Sequence, residues 1–205
     1  MNKSLHKEFV STAKAFSNNL AADIAAVGPI TIPSRKHQGI GEFLSRVIIG
    51  QQLSTKAAAT IWQRVRDCAK QEHTRVIDFF QDKNVPALRD CGVSGNKAKA
   101  LLAISQGVSD GTLNTRKLNR LSTEDRMAAL ISIHGVGRWT ADMASIFFFD
   151  DKDVWPNGDL SVVKVFERYL TKRQSKNAER YAARFHPHRS YLAYYMWHLA
   201  DGVPT

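Results

Sequence analysis

Ile131-Ser132-Ile133-His134-Gly135-Val136-Gly137-Arg138-Trp139-Thr140-Ala141-Asp142-Met143 is the stretch from which the fold can be read. Upstream of it, Met127, Leu130 and Ile131 recur at helical spacing behind Ser122–Thr123, with Asp125 three residues after Ser122 in the pattern of a capping box. Downstream, Ile146 and Phe147 continue a second apolar run. Two glycines one residue apart let the backbone turn tightly between them without a Cβ penalty. The pattern therefore predicts two helices joined by a hairpin over about 124–149. If the second helix begins near Arg138, its first N–H groups and its positive end face outward, which makes a phosphate site. An ordinary helical hairpin turning on glycine accounts for the same spacing, and the residues alone leave both readings open.

Working outward, nearly every apolar pattern has helical period. Phe43, Leu44, Val47 and Ile48 share one face, and Ala57, Ala58, Ile61, Val65 and Cys68 form another stripe behind Ser54 as N-cap. Leu101, Leu102 and Ile104 continue the theme, while alternating strand-like segments are scarce. The expectation is an all-α fold, a two-lobed bundle of about ten helices with a cleft between the lobes. The whole chain, 1–205, reads as one domain with no internal repeat. Pro29–Gly41 is the candidate connection between lobes.

With 29 Lys and Arg against 19 Asp and Glu, the chain carries a formal net charge of +10, which points to a polyanionic partner, nucleic acid before an anionic membrane. The two cysteines, Cys68 and Cys91, are too few for a disulfide framework, a four-cysteine zinc site or an iron–sulfur cluster, and read as buried free thiols. The opening MNKSLHKEFV lacks the apolar run of a signal peptide. No stretch approaches the roughly 20 apolar residues of a membrane helix. The chain is expected inside the cell, in the bacterial cytoplasm and nucleoid or in a eukaryotic nucleus, without a membrane partner and as a monomer.

Asp159 follows a Pro156-Asn157-Gly158 turn and precedes a helix over Leu160–Tyr169. From the residues alone, helix capping is the more frequent reason for an Asp in that place. Gly135-Val136-Gly137-Arg138-Trp139-Thr140-Ala141, however, resembles the hairpin of the helix-hairpin-helix DNA glycosylase superfamily, especially its 3-methyladenine DNA glycosylase II branch. Three further segments resemble that branch in order and spacing. They are Ile48-Ile49-Gly50-Gln51-Gln52-Leu53-Ser54 before a helix, Asp153-Val154-Trp155-Pro156-Asn157-Gly158-Asp159-Leu160, and Arg189-Ser190-Tyr191 followed by Trp197. The resemblance spans roughly 40–200 and is to a compact form without the extra N-terminal domain of some members.

The resemblance implies a monofunctional glycosylase of base excision repair. It would hydrolyse the N-glycosidic bond of alkylated purines such as 3-methyladenine and 7-methylguanine after base flipping, leaving an abasic site. Asp159 takes the catalytic position. Trp139 stands where bifunctional relatives carry their Schiff-base lysine, and Lys164 lies on the following helix and is assigned to phosphate or solvent. The pocket candidates are Trp139, Met143, Trp155 and Trp197, while Trp62 reads as core. Met143, Ser161, Val163 and His134 depart from the residues common in the branch.

Expected DNA contacts are Gln51, Gln52, Leu53 and Ser54 in the loop that would fill the gap in the base stack. Lys97, Gly135, Gly137, Arg138, Thr140 and Lys164 complete that set. No cofactor is required. The resemblance also implies a structural monovalent cation, Na+ or K+, on the main-chain carbonyls of Ile131, Ile133 and Val136. The partner is damaged double-stranded DNA. Two alternatives remain: the same fold acting on uracil, hypoxanthine, oxidised guanine or 1-methyladenine, and a damaged-DNA-binding protein without catalysis.

Overall fold

The structure, a computed structural model, describes residues 1–200. Among these residues fourteen α-helices are found and no strand. In chain order they are α1 (Lys3–Lys14), α2 (Asn18–Val27), α3 (Ile40–Gly50), α4 (Thr55–Gln71), α5 (Val76–Phe79), α6 (Val85–Asp90) and α7 (Gly95–Ser109). There follow α8 (Thr115–Leu118), α9 (Thr123–Ile131), α10 (Arg138–Met143), α11 (Leu160–Arg168), α12 (Lys172–Ser175), α13 (Ala178–Ala182) and α14 (Arg189–Leu199). The count exceeds the predicted ten because α5, α8, α12 and α13 have four or five residues. One turn is too short to display an apolar repeat. Among the described residues no helix is long and apolar enough to cross a membrane.

The described chain divides into two compact units, one formed by residues 34–149 and one by residues 1–33 together with 150–200. The first boundary, between Pro33 and Ser34, falls inside the predicted connection Pro29–Gly41. In the central unit, Leu44, Ile48 and Ile49 of α3 are buried together with Val65, Leu88, Leu101, Ile104 and Leu130. The α4 stripe is rotated from the expected one. Trp62, Val65 and Ala69 are its buried residues, while Ala57, Ala58 and Cys68 are half-buried. Trp62 is thus core, as its mid-helix position implied.

Caps set the starts of these helices. Ser54 accepts from Ala57 N at 3.3 Å and Ser94 from Lys97 N at 3.4 Å, each satisfying a first-turn donor. Ser122 accepts from Asp125 N at 3.0 Å and donates its hydroxyl to Asp125 Oδ2 at 2.8 Å. Asp125 thus returns the cap through the serine hydroxyl, a variation on the backbone contact that a longer Glu or Gln makes.

In the terminal unit, Leu20, Ile24, Phe166, Leu192, Tyr195, Met196 and Trp197 are almost wholly enclosed. Polar bonds tie the two ends of the chain together. Tyr195 Oη donates to Gly28 O at 2.8 Å, and Tyr169 Oη donates to Asp23 Oδ2 at 2.6 Å. Burial pushes both phenols up to about 12, with Asp23 adding to the effect at Tyr169, so both remain donors at neutral pH.

Candidate active-site carboxylate and nucleic-acid interface

In the central unit the hairpin runs as expected: α9, a turn over 132–137, then α10, continued by a π-helical segment over Ala144–Phe148. Val136 N donates to Ile133 O at 3.0 Å and closes the turn. Gly135 has φ +84°, where L side chains are strained. A Cβ built there would also stand 2.3 Å from Ala100 Cβ on α7. Gly135 is therefore glycine for two internal reasons.

Gly137 differs. Its φ is −86°, open to any residue, and nothing lies within 4 Å of a Cβ built on it. It caps α10 without a side-chain hydrogen bond. Gly137 and Arg138 are exposed and Trp139 is half-buried. Arg138 Nε donates to Asp142 Oδ1 at 3.2 Å, pairing an arginine with 71% exposure to a carboxylate with 1%.

The loop between α3 and α4 is held in a specific shape. Gln52 has φ +57°, a conformation that costs a non-glycine residue about 1–2 kcal/mol. Its neighbours impose it. Leu53 N donates to Gly50 O at 3.2 Å, and Lys97 Nζ donates to both Ile49 O and Gln51 O at 2.8 Å. Gln51 Nε2 donates to Thr140 Oγ1 at 2.9 Å. Gln52 and Leu53 are left exposed at the tip, Leu53 by 40%.

Two of the expected DNA contacts have side chains engaged within the protein. Lys97 commits its ammonium to two loop carbonyls, and its pKa is lowered by burial. Thr140 is 1% exposed and its hydroxyl accepts from Gln51. Both hold the loop, Lys97 from a half-buried position and Thr140 from within. Ser54 is exposed but spends its hydroxyl on the α4 cap.

In the terminal unit, Asp159 caps α11. Its Oδ1 accepts from Ser161 N and Val162 N, both at 3.0 Å, and its Oδ2 accepts from Trp197 Nε1 at 3.1 Å. The residue is 7% exposed. Three N–H donors thus surround it at the positive end of a helix, an arrangement complementary to an anion. The cap occupies Oδ1, and the indole N–H holds Oδ2. Lys164 is exposed on α11.

Three of the four pocket candidates are packed inside their own units. Met143 and Trp197 are 1% exposed and Trp155 is 8% exposed, its ring meeting Phe166 edge-on at 5.2 Å. Trp197 holds the carboxylate and Trp155 supports α11. Only Trp139 among them is partly open to solvent.

The glutamine loop, the hairpin and the capped aspartate, in that order along the chain, lie within the span of a known family. A family model described as HhH-GPD superfamily base excision DNA repair protein covers residues 45–187. The chain belongs to the HhH-GPD superfamily. It is similar to DNA-3-methyladenine glycosylase 1 of Schizosaccharomyces pombe, with 31% identity over 161 residues, 76% of this chain and 70% of that protein. It is also similar to DNA-3-methyladenine glycosylase 2 of Escherichia coli, with 29% identity over 170 residues, 78% of this chain and 57% of that protein. In structure it resembles the S. pombe 3-methyladenine DNA glycosylase in complex with abasic DNA. The TM-score is 0.81 at 26% identity, over 95% of this chain and 97% of that one.

Within this HhH-GPD chain, Asp142 was overlooked by motif reading. It lies four residues after Arg138 on α10, a spacing that pairs side chains on one helix face and was visible in the sequence. A second group, Asp153 with Arg189 and His186, had no such signal because Asp153 lies 36 and 33 residues from its two partners. Asp153 Oδ1 accepts from Arg189 Nε at 2.7 Å and Oδ2 from Nη2 at 2.8 Å, fixing the start of α14, the helix that carries Trp197.

Proposed function

We propose that this chain is a monofunctional DNA glycosylase that excises alkylated purines of the 3-methyladenine and 7-methylguanine type from duplex DNA, leaving an abasic site. The observation that carries this reading is Asp159, a nearly buried carboxylate fixed by two α11 N–H groups and the Trp197 indole. Departure of the base leaves positive charge on the deoxyribose. A preorganised anion at C1′ stabilises that charge in the transition state without reorganising, and water then takes the base's place. Alkylated purines carry positive charge already, so they leave readily. A tryptophan face such as that of Trp139 attracts them by about 0.5–2 kcal/mol.

The hairpin fits DNA backbone. Gly137 needs no side chain for internal reasons, and the space above its backbone suits close approach of a phosphate to the α10 N–H groups. Arg138 adds charge there, and Lys164 adds it on α11. Flipping the target base costs a few kcal/mol, and the exposed Gln52–Leu53 tip is shaped to occupy the gap. Trp139 in place of a lysine leaves the hairpin without the amine of Schiff-base chemistry. No cofactor enters the hydrolysis. The carbonyls of Ile131, Ile133 and Val136 are neutral hard oxygen donors, chemistry suited to a sodium or potassium ion. One lone pair of Ile133 O is engaged by Val136 N–H. A monomer acting on the genome is sufficient.

Base release from dimethyl-sulfate-treated DNA tests the reading. The wild type frees 3-methyladenine or 7-methylguanine, and Asp159→Asn loses about 10²–10³-fold in rate. Release by neither protein, or equal release by both, overturns it. Borohydride yields no covalent protein–DNA adduct.

A further inference from the structure

Cys68 on α4 and Cys91 just after α6 lie 23 residues apart in the chain, yet their Sγ atoms stand 3.4 Å apart. Both belong to the central unit. A disulfide bond is about 2.05 Å long, so the sulfurs need approach by little more than an ångström. They line a surface depression of about 350 Å³ together with Arg64, Asp67, Ala87 and Asp90. Cys68 is half-buried beside it, while Cys91 is 4% exposed. Among the described residues no three His, Cys, Asp or Glu side chains are grouped to hold a metal ion, so the pair is not part of a metal centre there.

We propose that Cys68 and Cys91 are a modification site, forming a reversible intramolecular disulfide on exposure to hydrogen peroxide or a small-molecule disulfide. The more accessible sulfur, Cys68, acts first. Its thiolate attacks one peroxide oxygen, the O–O bond breaks, and the leaving hydroxide takes up a proton to become water. Cys68 is then a sulfenic acid. The Cys91 sulfur attacks the Cys68 sulfur, the S–O bond breaks, and the departing hydroxide takes the Cys91 proton as the second water. Two thiols give up two electrons, and one peroxide becomes two waters. With a small-molecule disulfide the same order passes through a mixed disulfide on Cys68 and releases two small thiols.

The order follows from the surroundings. Burial, and then the neighbouring Cys68 side chain, push the Cys91 thiol up to about 12, so it keeps its proton until Cys68 has become an electrophile. The cross-link would pin α4 to the turn ahead of α7, whose Lys97 holds the carbonyls of Ile49 and Gln51. It involves none of the residues assigned to DNA or base, and it stands whether or not the substrate reading does.

The test uses the full chain treated with hydrogen peroxide or oxidised glutathione, quenched with N-ethylmaleimide, and mapped by mass spectrometry without reduction. The expected result is loss of both alkylatable thiols and a single linked pair of peptides holding Cys68 and Cys91. The melting midpoint rises by roughly 5–10 °C, and dithiothreitol reverses both changes. Cys91→Ser, or Cys91→Ala if a buried hydroxyl disturbs folding, stops at an oxidised or glutathionylated Cys68. The wild-type map alone can overturn the proposal. It does so if both thiols stay alkylatable, if Cys68 is modified without the link, or if links form only between molecules.

Discussion

The indole nitrogen of Trp197 donates to Asp159 Oδ2 at 3.1 Å, joining the last turns of α14 to the first turn of α11. Oδ1 is spent on two backbone N–H groups, and the indole holds the second oxygen. Trp197 is therefore a positioning residue for the carboxylate.

Trp197→Phe keeps most of the ring volume and deletes the donor. A hydrogen bond to a charged group is worth about 1.5–3 kcal/mol, so single-turnover excision should fall roughly 10–100-fold. Substrate affinity should change little. An unchanged rate, with the variant folded, would remove the indole from the catalytic arrangement.

The two hairpin glycines should separate cleanly. Gly135→Ala must place a methyl group against Ala100 at φ +84°. Left-handed backbone and overpacking together cost about 2–5 kcal/mol, readable as a lower melting midpoint. Gly137→Val finds nothing within 4 Å of its Cβ, and at the α10 N-cap it should cost no more than about 1 kcal/mol. Its effect should be weaker binding to every duplex alike, since phosphate contacts carry no sequence information. A loss confined to one sequence, or a large loss of stability, would contradict the phosphate reading of Gly137.

Lys97 and Arg138 are both basic, but only one faces outward. Arg138→Gln should lower the slope of log Kobs against log salt by about 0.9, the signature of one lost phosphate contact. Lys97→Met should leave that slope unchanged. It should still weaken damaged-duplex binding, because the Gln51–Leu53 loop loses two tethers while Gln52 stays strained. A reduced slope for Lys97→Met would return Lys97 to the DNA face.

These contrasts mark what could be read from sequence. The hairpin limits, the caps at Ser54, Ser122 and Asp159, and the core role of Trp62 depend on local spacing, and the structure agrees with each. Direction was not legible. A motif says that Lys97, Thr140 and Trp197 belong near the site, yet all three point inward, to partners 38 to 89 residues away. The joining of α1 and α2 to the chain after 150 was equally hidden, because Tyr169–Asp23 and Tyr195–Gly28 span more than 140 residues.

Asp142 carries the last prediction. Burial pushes its carboxyl up to about 6, against the opposing pull of Arg138. An unfolded aspartate titrates near 3.9, so between about pH 4 and 6 the folded chain binds more protons than the unfolded one. Stability from this group is therefore present below about pH 4 and lost as pH rises through 6, a change of roughly 2–3 kcal/mol. Asp142→Asn mimics the protonated form at all pH. Its melting midpoint should match wild type near pH 4 and exceed it near pH 7, the gap opening across that window. A gap that stays flat would show that Asp142 is not held above its ordinary range. The variant also removes the negative charge that faces the Arg138 guanidinium at 3.2 Å. Duplex affinity in the same protein then reports whether that pairing orients Arg138 for phosphate, in which case affinity falls, or competes with phosphate, in which case it rises.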